Sequence, residues 1–351
     1  METYIYEIKN TIEDDKEIEK AGAIIKSGGL VAFPTETVYG LGGDALNPES
    51  SKKIYAAKGR PSDNPLIVHI CRLEDIYPIV SDFPESAQKL AEAFWPGPLT
   101  MVLPKSDKVP QTTTGGLNTV AVRMPVDPVA LSFIEASGGY IAAPSANTSG
   151  KPSPTKAKYV AEDMKGKIDM IIDGGDVEIG LESTIVDLSG GAPMLLRPGY
   201  VSLHMLRECL GEVRMDPTLF SGECKEAPKA PGMKYRHYAP KGDLTIVSGL
   251  EVAVVDTINE LTAKAITDGK KVGIIATDET VSKYYEGMIK SVGSRKDEVS
   301  IARNLYRLLR EFDDENVELI YSEAFDTPNM GQAIMNRLLK AAGHHVMYVE
   351  R

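Results

Sequence analysis

Between residues 214 and 242 the chain loses its apolar periodicity. Pro, Gly, Lys and Tyr dominate there, and the stretch completes no helix face and no strand face. The interruption cuts the 351 residues into two parts. Each part is long enough for a core of its own, at roughly 100–200 residues per domain. A structureless segment of this length is longer than most connections in compact domains and points to a functional one. The expected organisation is a first domain over 1–213, a linker over 214–242 and a second domain over 243–351.

Before the break, helical stretches at 16–27, 49–58, 84–94, 128–136 and 155–164 alternate with short apolar runs. The runs at 30–33, 65–70, 99–103, 119–124, 140–144, 168–172 and 183–188 read as strands. Gly190-Gly191 marks a hairpin turn into the strand Met194–Arg197, and a short helix starts near Ser202. After the break the rhythm is more regular. Strands at 244–249, 272–277 and 317–322 alternate with helices at 251–268, 298–312 and 331–343. Alternation at these lengths implies a mostly parallel, three-layer α/β domain.

Composition narrows the class. A hydrophobic share of 42% supports a sizeable core, and a formal net charge of −11 does not suit a dedicated nucleic-acid binder. The three cysteines, Cys71, Cys209 and Cys224, are far apart and form no C-x-x-C pair. They give neither a disulfide framework nor a zinc site. No metal-ligating set stands out. The acidic N-terminal stretch has no apolar signal core, and no run reaches the ~18 apolar residues of a membrane helix, so a cytoplasmic protein without a membrane anchor is expected.

Six segments carry the chemistry. PTETVYGLGGDA, from Pro34 to Ala45, follows a buried strand. Its hydroxyls at Thr35, Thr37 and Tyr39 and its carboxylate at Glu36 therefore sit where ligands of α/β sheets bind. Its glycines let backbone approach a ligand, though a glycine-rich turn has the same composition. In AAKGRPSDNPLIVH, Lys58 and Arg60 are two cations around a glycine. They suit a polyphosphate, and they equally suit a helix C-terminus. His69 shares a strand face with Ile67.

NTVAVRMP puts Val120, Val122 and Met124 on one face, with Thr119, Ala121 and Arg123 on the other. Two small residues beside an arginine make a binding floor. That arginine needs an anion, either an internal carboxylate or a ligand, and a ligand is the expectation. APSANTSGKPSPT, from Ala143 to Thr155, offers Ser145, Asn147 and Ser153 to phosphate or sugar oxygens, although such residues also dominate plain turns. Ser145 does not stand in G-x-S-x-G, so no hydrolase elbow is indicated. ESTIVDLSGGAPMLLRPG carries Ser183 at a strand entrance and Arg197 in the paired strand, a second arginine calling for an anion. PGMKYRHYAPKG, residues 231–242, interleaves Lys234, Tyr235, Arg236, His237 and Tyr238, as a base-stacking loop or an ordinary basic linker would. Together the segments hold cations, hydroxyls and glycines near strand ends, with no nucleophile triad. That is the chemistry of binding ATP and a small polar substrate.

In this order, PTETVYGLGGDA, KGRPSDNPLIVH, WPGPLT, TVAVRMP, APSANTSGKPSPT, ESTIVD and LRPG resemble the motif set of YrdC-like threonylcarbamoyl-AMP synthases. The set fills about the first two hundred residues, and the linker and trailing domain resemble the long, two-domain form. The resemblance implies a twisted, open α/β catalytic domain followed by a smaller Rossmann-like, three-layer α/β domain. It implies synthesis of threonylcarbamoyl-AMP and pyrophosphate from L-threonine, bicarbonate and ATP, with Mg²⁺ accompanying the ATP. It maps Thr37, His69, Arg123, Ala143 and Ser183 to threonine binding. Arg60, Asn64, Thr119, Ser145, Asn147, Ser153 and Arg197 map to ATP, and Lys58 and Arg60 become the catalytic cations. In long forms a linker tyrosine reaches the nucleotide; Tyr235 is the choice here, ahead of His237 and Tyr238.

The same resemblance implies that the product goes to a tRNA threonylcarbamoyltransferase complex for modification of adenosine. Direct contact with tRNA does not follow from it. Two other functions use similar residues: a non-catalytic RNA-binding, translation-associated module, and a carbamoyl transfer from carbamoyl phosphate. The acidic charge and the lack of an RNA-binding motif weigh against the first. The second belongs with acylphosphatase and zinc-finger segments not seen in this sequence.

Overall fold

The computed structural model describes residues 2–8, 14–221, 230 and 237–350. Its contacts divide the chain into two units. Unit 1 comprises Met1–Ser149, Ser153–Glu178 and Glu182–Lys234, and unit 2 comprises Gly150–Pro152, Ile179–Leu181 and Tyr235–Arg351.

Unit 1 begins with strand β1 (Tyr4–Glu7), helix α1 (Asp15–Lys26), β2 (Val31–Phe33), β3 (Gly40–Asp44) and α2 (Pro48–Lys58). It continues with β4 (Ile67–His69), α3 (Glu85–Phe94), β5 (Leu99–Pro104), β6 (Thr119–Arg123), α4 (Pro128–Ala136) and β7 (Ile141–Ala143). The last elements are α5 (Ala157–Met164), β8 (Met170–Asp173), β9 (Thr184–Asp187), β10 (Met194–Arg197), α6 (Leu203–Leu210), β11 (Arg214–Met215) and α7 (Thr218–Ser221). The eleven strands form one mixed, open sheet in the order β1-β8-β2-β3-β7-β4-β6-β5-β9-β10-β11. Helix ends are chemically marked. Asn47 caps α2 ahead of Pro48, Asp127 caps α4 ahead of Pro128, and Ser202 caps α6.

Two expectations change. The glycines of PTETVYGLGGDA lie in a strand, β3, paired antiparallel with β2 and β7. A Cβ on Gly40 would meet the Phe33 ring at 2.9 Å, and one on Gly42 would meet Ile141 at 2.9 Å. These glycines serve close packing inside the sheet, not approach to a ligand. The segment read as a linker also starts later than 214. β11 pairs parallel with β10 and α7 follows it, a two-residue strand being too short to show periodicity.

The core of unit 1 lies on both sheet faces. One cluster gathers Tyr39, Ile54, Leu66, Val68, Leu90, Met101, Val122 and Val160. On the other side, α1 and α4 cover Val31, Phe33, Ile141 and Ile172. A third, small cluster holds Ile67, Val102, Ala121, Ile185, Leu196 and Ala230. Ala121, expected on a binding floor, is packed within this cluster. Ala230 packs in the same cluster.

Unit 2 comprises β12 (Asp243–Gly249), α8 (Glu251–Thr267), β13 (Val272–Ala276), β14 (Met288–Ser291), α9 (Glu298–Asp314), β15 (Leu319–Glu323), α10 (Gly331–Ala341) and β16 (Val346–Val349). The strand order is β14-β13-β15-β12-β16, and every pair is parallel. The crossovers run in opposite directions along the sheet, so right-handed connections place α8 on one face and α9 with α10 on the other. This is the expected three-layer arrangement. Helix α9 shows why: its apolar stripe of Ile301, Leu305, Leu308, Leu309 and Phe312 is buried. Where the chain is described again after residue 236, Tyr238 is buried with φ of 67°. It stacks on Tyr306 at 5.1 Å, and Arg337 lies 5.8 Å from its ring. Two short pieces of the first part of the chain also belong here. Arg310 donates to the carbonyl of Pro152 at 2.6 and 3.1 Å, and Ala239 N–H donates to Gly150.

Candidate active site

Register brings the first group of residues together. His69 on β4 pairs across to Arg123 on β6, and Arg123 to Thr100 on β5. The three side chains therefore form one row across the carboxyl end of β6. The loop between β2 and β3 supplies Thr35, Glu36 and Thr37. Thr35 Oγ1 donates to the Val38 carbonyl at 2.7 Å, which uses its only proton. In the 2.9 Å contact between Thr35 and Thr37, Thr37 must then be the donor. Arg123 Nη1 donates to Thr37 Oγ1 at 2.8 Å. Thr37 is left with acceptor capacity alone, so any ligand group it meets has to donate.

Arg123 and Glu36 are both buried, with Nη2 and Oε1 2.7 Å apart. This corrects the expectation of a ligand as the first anion: the internal carboxylate already stands beside the guanidinium. The contact is close but badly angled. Neither Glu36 oxygen and neither Nε nor Nη2 of Arg123 makes a hydrogen bond to the described residues. Of the guanidinium nitrogens, Nη1 is given to Thr37 and Nη2 lies against Glu36, while the buried Nε makes no hydrogen bond to the described residues.

His69 is buried and its Nδ1 lies 3.1 Å from the Ile67 carbonyl, which makes Nδ1 the protonated nitrogen. Burial first, and the charge of Arg123 second, hold its pKa down at about 3. The ring is neutral at physiological pH, and it sits edge-on to Phe33. Ala143 at the end of β7 is buried against the Phe33 cluster, so only its backbone is available to a ligand.

The second group lies around the end of α2. Gly59 closes the helix in the left-handed conformation, φ 62°. Lys58 Nζ donates to the carbonyls of Ser145 and of Asn147, the latter at 2.6 Å, and approaches Asn147 Oδ1 at 3.5 Å. Ser145 Oγ donates to the same Oδ1 at 2.6 Å. Lys58 thus holds the Ser145–Asn147 loop in shape. Arg60 Nη2 donates to the carbonyls of Asn64 and Pro65 at 3.1 and 3.0 Å, bracing the turn between them. Asn64 is buried, and its Oδ1 meets no donor among the described residues.

The third group joins β5, β9 and β10. Arg197 donates through Nε to the Ser183 carbonyl at 3.0 Å and through Nη2 to Ser183 Oγ at 3.1 Å; Thr100 and Ser183 hydroxyls are 2.7 Å apart. Ser153 donates to Glu182 at 2.5 Å. Thr119 stands at the opposite end of β6 from Arg123, four residues or about 13 Å away.

The structure thus gathers Thr37, His69, Arg123 and Ser183, and separately Lys58, Arg60, Asn64, Ser145 and Asn147. Tyr235 lies outside the described residues. Thr100 and Glu182 were missed among the site residues. The signal for Thr100 was present as the one polar residue in the apolar run Leu99–Leu103.

Two family models cover the chain. The model described as Telomere recombination matches residues 23–199, and that for the C-terminal domain of threonylcarbamoyl-AMP synthase matches 201–343. Threonylcarbamoyl-AMP synthase of Pyrococcus abyssi is 49% identical over 99% of this chain and 100% of its own length. The synthase of Bacillus subtilis is 46% identical over 95% of each. The crystal structure of P. abyssi Sua5 complexed with L-threonine is similar over 100% of both chains, with a TM-score of 0.93 and 46% identity. With matching models across both units and relatives this similar along their whole length, the chain belongs to the threonylcarbamoyl-AMP synthase family, in its long, two-domain form.

Proposed function

We propose that this protein is an L-threonylcarbamoyladenylate synthase, a nucleotidyltransferase that joins L-threonine, bicarbonate and ATP into threonylcarbamoyl-AMP and pyrophosphate. One structural observation carries the reading. Glu36 Oε2, Asn64 Oδ1 and Arg123 Nε are buried and make no hydrogen bond to the described residues. Such atoms are costly unless a ligand completes them. They call for a carboxylate at Arg123, a donor near Glu36 and Thr37, and a donor at Asn64. Threonine supplies the first two through its carboxylate and its amine or hydroxyl. The amino group of adenine supplies the third. The span of β6 between Thr119 and Arg123 separates the nucleotide end from the amino-acid end.

In the reaction, threonine carbamate attacks the α-phosphate and pyrophosphate leaves. The attacking oxygen is already anionic, so the chain needs no general base, in keeping with a neutral His69. The residues' task is to bind, orient and stabilise charge. Arg123 holds the threonine carboxylate. Arg60 and Arg197 face the nucleotide, and Ser145, Asn147 and Ser153 line its path. Lys58 acts through the loop it holds rather than on phosphate. Magnesium belongs to the substrate as counter-ion of the triphosphate; no group of three His, Cys, Asp or Glu able to hold a metal occurs among the described residues. Among those residues no helix is long and apolar enough to cross a membrane, and we place the enzyme in the cytoplasm. Its unstable product passes to a tRNA threonylcarbamoyltransferase complex.

The test is direct. Protein, ATP, Mg²⁺ and bicarbonate are incubated with each amino acid in turn, and AMP adducts are sought by mass spectrometry. Threonine should give the adduct with bicarbonate-dependent pyrophosphate release. Absence of any adduct, with salt-dependent tRNA binding in its place, would favour the RNA-binding module.

A further inference from the structure

Unit 2 has a cavity of its own, of about 300 Å³, at the carboxyl ends of β12 and β15. This is where parallel α/β sheets bind ligands. Its wall includes Ser248, Glu251, Val254, Arg295, Glu323 and Asp326. The site is built rather than incidental. Glu323 is 1% exposed, and it accepts hydrogen bonds from Thr280, from Tyr284 at 2.8 Å and from Arg295 at 2.6 Å. Arg295 is pinned as well. Its Nη1 donates to the Ala324 carbonyl at 3.0 Å, and its guanidinium lies 5.6 Å from the Phe325 ring. Those two hydrogen bonds use two of its five N–H donors, and its side chain is still 33% exposed. Three N–H donors of a residue that lines the cavity therefore remain for a ligand. The first turn of α8 enters the same cavity, and its cap residue Leu250 provides no side-chain acceptor. On the other side, Glu251 is shared with Lys283, while Asp326 is exposed and pairs with no cation among the described residues.

The cavity therefore offers an anion site and a cation site within one small volume. At the lower end of roughly 300–1,000 Å³ for ligand pockets, it excludes a dinucleotide and suits a small metabolite. We propose that it binds a free α-amino acid or a zwitterion of that size, the carboxylate on Arg295 and the ammonium on Asp326 and Glu251. Nothing in this depends on the synthase assignment.

Full-length protein is titrated with each free α-amino acid and followed by ligand-observed NMR, with the N-acetylated and the C-amidated derivatives as probes lacking one charge. At least one free amino acid should saturate a site that Arg295→Met abolishes. Asp326→Asn and each blocked derivative should weaken it at least about tenfold, as loss of one charge-assisted contact does. Arg123→Met in unit 1 should leave this signal unchanged, which separates it from threonine in the proposed active site. Should Arg295→Met fail to fold, Asp326→Asn still decides, since Asp326 is exposed. The proposal is overturned if no amino acid binds, if binding survives the unit 2 substitutions, or if acetate or inorganic phosphate competes equally well.

Discussion

At the scale of single residues, the site is an arrangement of half-satisfied groups. Arg123 illustrates what sequence can and cannot tell. An arginine alternating with alanine in an apolar strand had to meet an anion, and that much was legible. Which anion was not, because Glu36 is 87 positions away in the chain and arrives through β2. Arg123→Lys would keep a charge near Glu36 but lose the two-pronged edge. It should lower kcat/KM for threonine about a hundredfold while leaving KM for ATP within about threefold. Steady-state pyrophosphate release measures both, and an equal loss on the ATP side would refute the assignment. His69 gives a pH test. Its folded pKa is about 3 against 6.5 in the unfolded chain. Between those values the unfolded state binds the extra proton, so the stability His69 contributes is complete above pH 6.5 and is lost as pH falls toward 3. From pH 7 to pH 5 the wild type should lose about 2 kcal/mol more than His69→Gln, at about 1.4 kcal/mol per pH unit. Urea melts at the two pH values check it.

At the scale of elements, the legible parts were those with a period and a stop signal. Helix α4 was read with its observed bounds because Asp127-Pro128 marks its start and Gly138-Gly139 follows its end. Strands β1, β11 and β16 went unread. They are short, and β1 and β11 are exposed on every residue, so neither burial nor alternation marks them. Strand β3 was hidden by its own glycines, which are there because Phe33 and Ile141 leave no room for a side chain. The loop after β7 was recognised for its composition, but its shape depends on Lys58 at the end of α2, 87 residues before Ser145. Lys58→Met would keep the stem and remove three donors. Amide exchange over residues 145–149 should then rise by at least about tenfold, the equivalent of about 1.4 kcal/mol, with activity falling alongside it. Unchanged exchange with lost activity would return Lys58 to direct contact with phosphate.

For the whole molecule, the loss of periodicity after residue 213 gave the expectation of two domains and a linker, whereas the contacts carry unit 1 to Lys234 and start the main part of unit 2 at Tyr235. The full composition of the units was not legible. Residues 150–152 and 179–181 belong to unit 2 although they lie far before the break. Contacts of that kind leave no local pattern: Pro152 looks like an ordinary turn residue until Arg310 donates to its carbonyl. Gly180 looks like another, yet a Cβ there would come within 2.4 Å of Arg303 Cα. A chain cut after Gly242 would therefore lose more than an appended domain. The two short pieces would lose their partners, Arg310 at Pro152 and the α9 backbone at Gly180. Backbone stripped of its packing opens locally and becomes a substrate for proteases. In limited proteolysis, residues 148–155 and 178–183 of the truncated chain should be cleaved at least about tenfold faster than in the intact protein, read by mass spectrometry of early fragments. Equal resistance at both places would mean that unit 1 holds these segments unaided, and that any change in the activity of the truncated enzyme has to be sought in the linker itself.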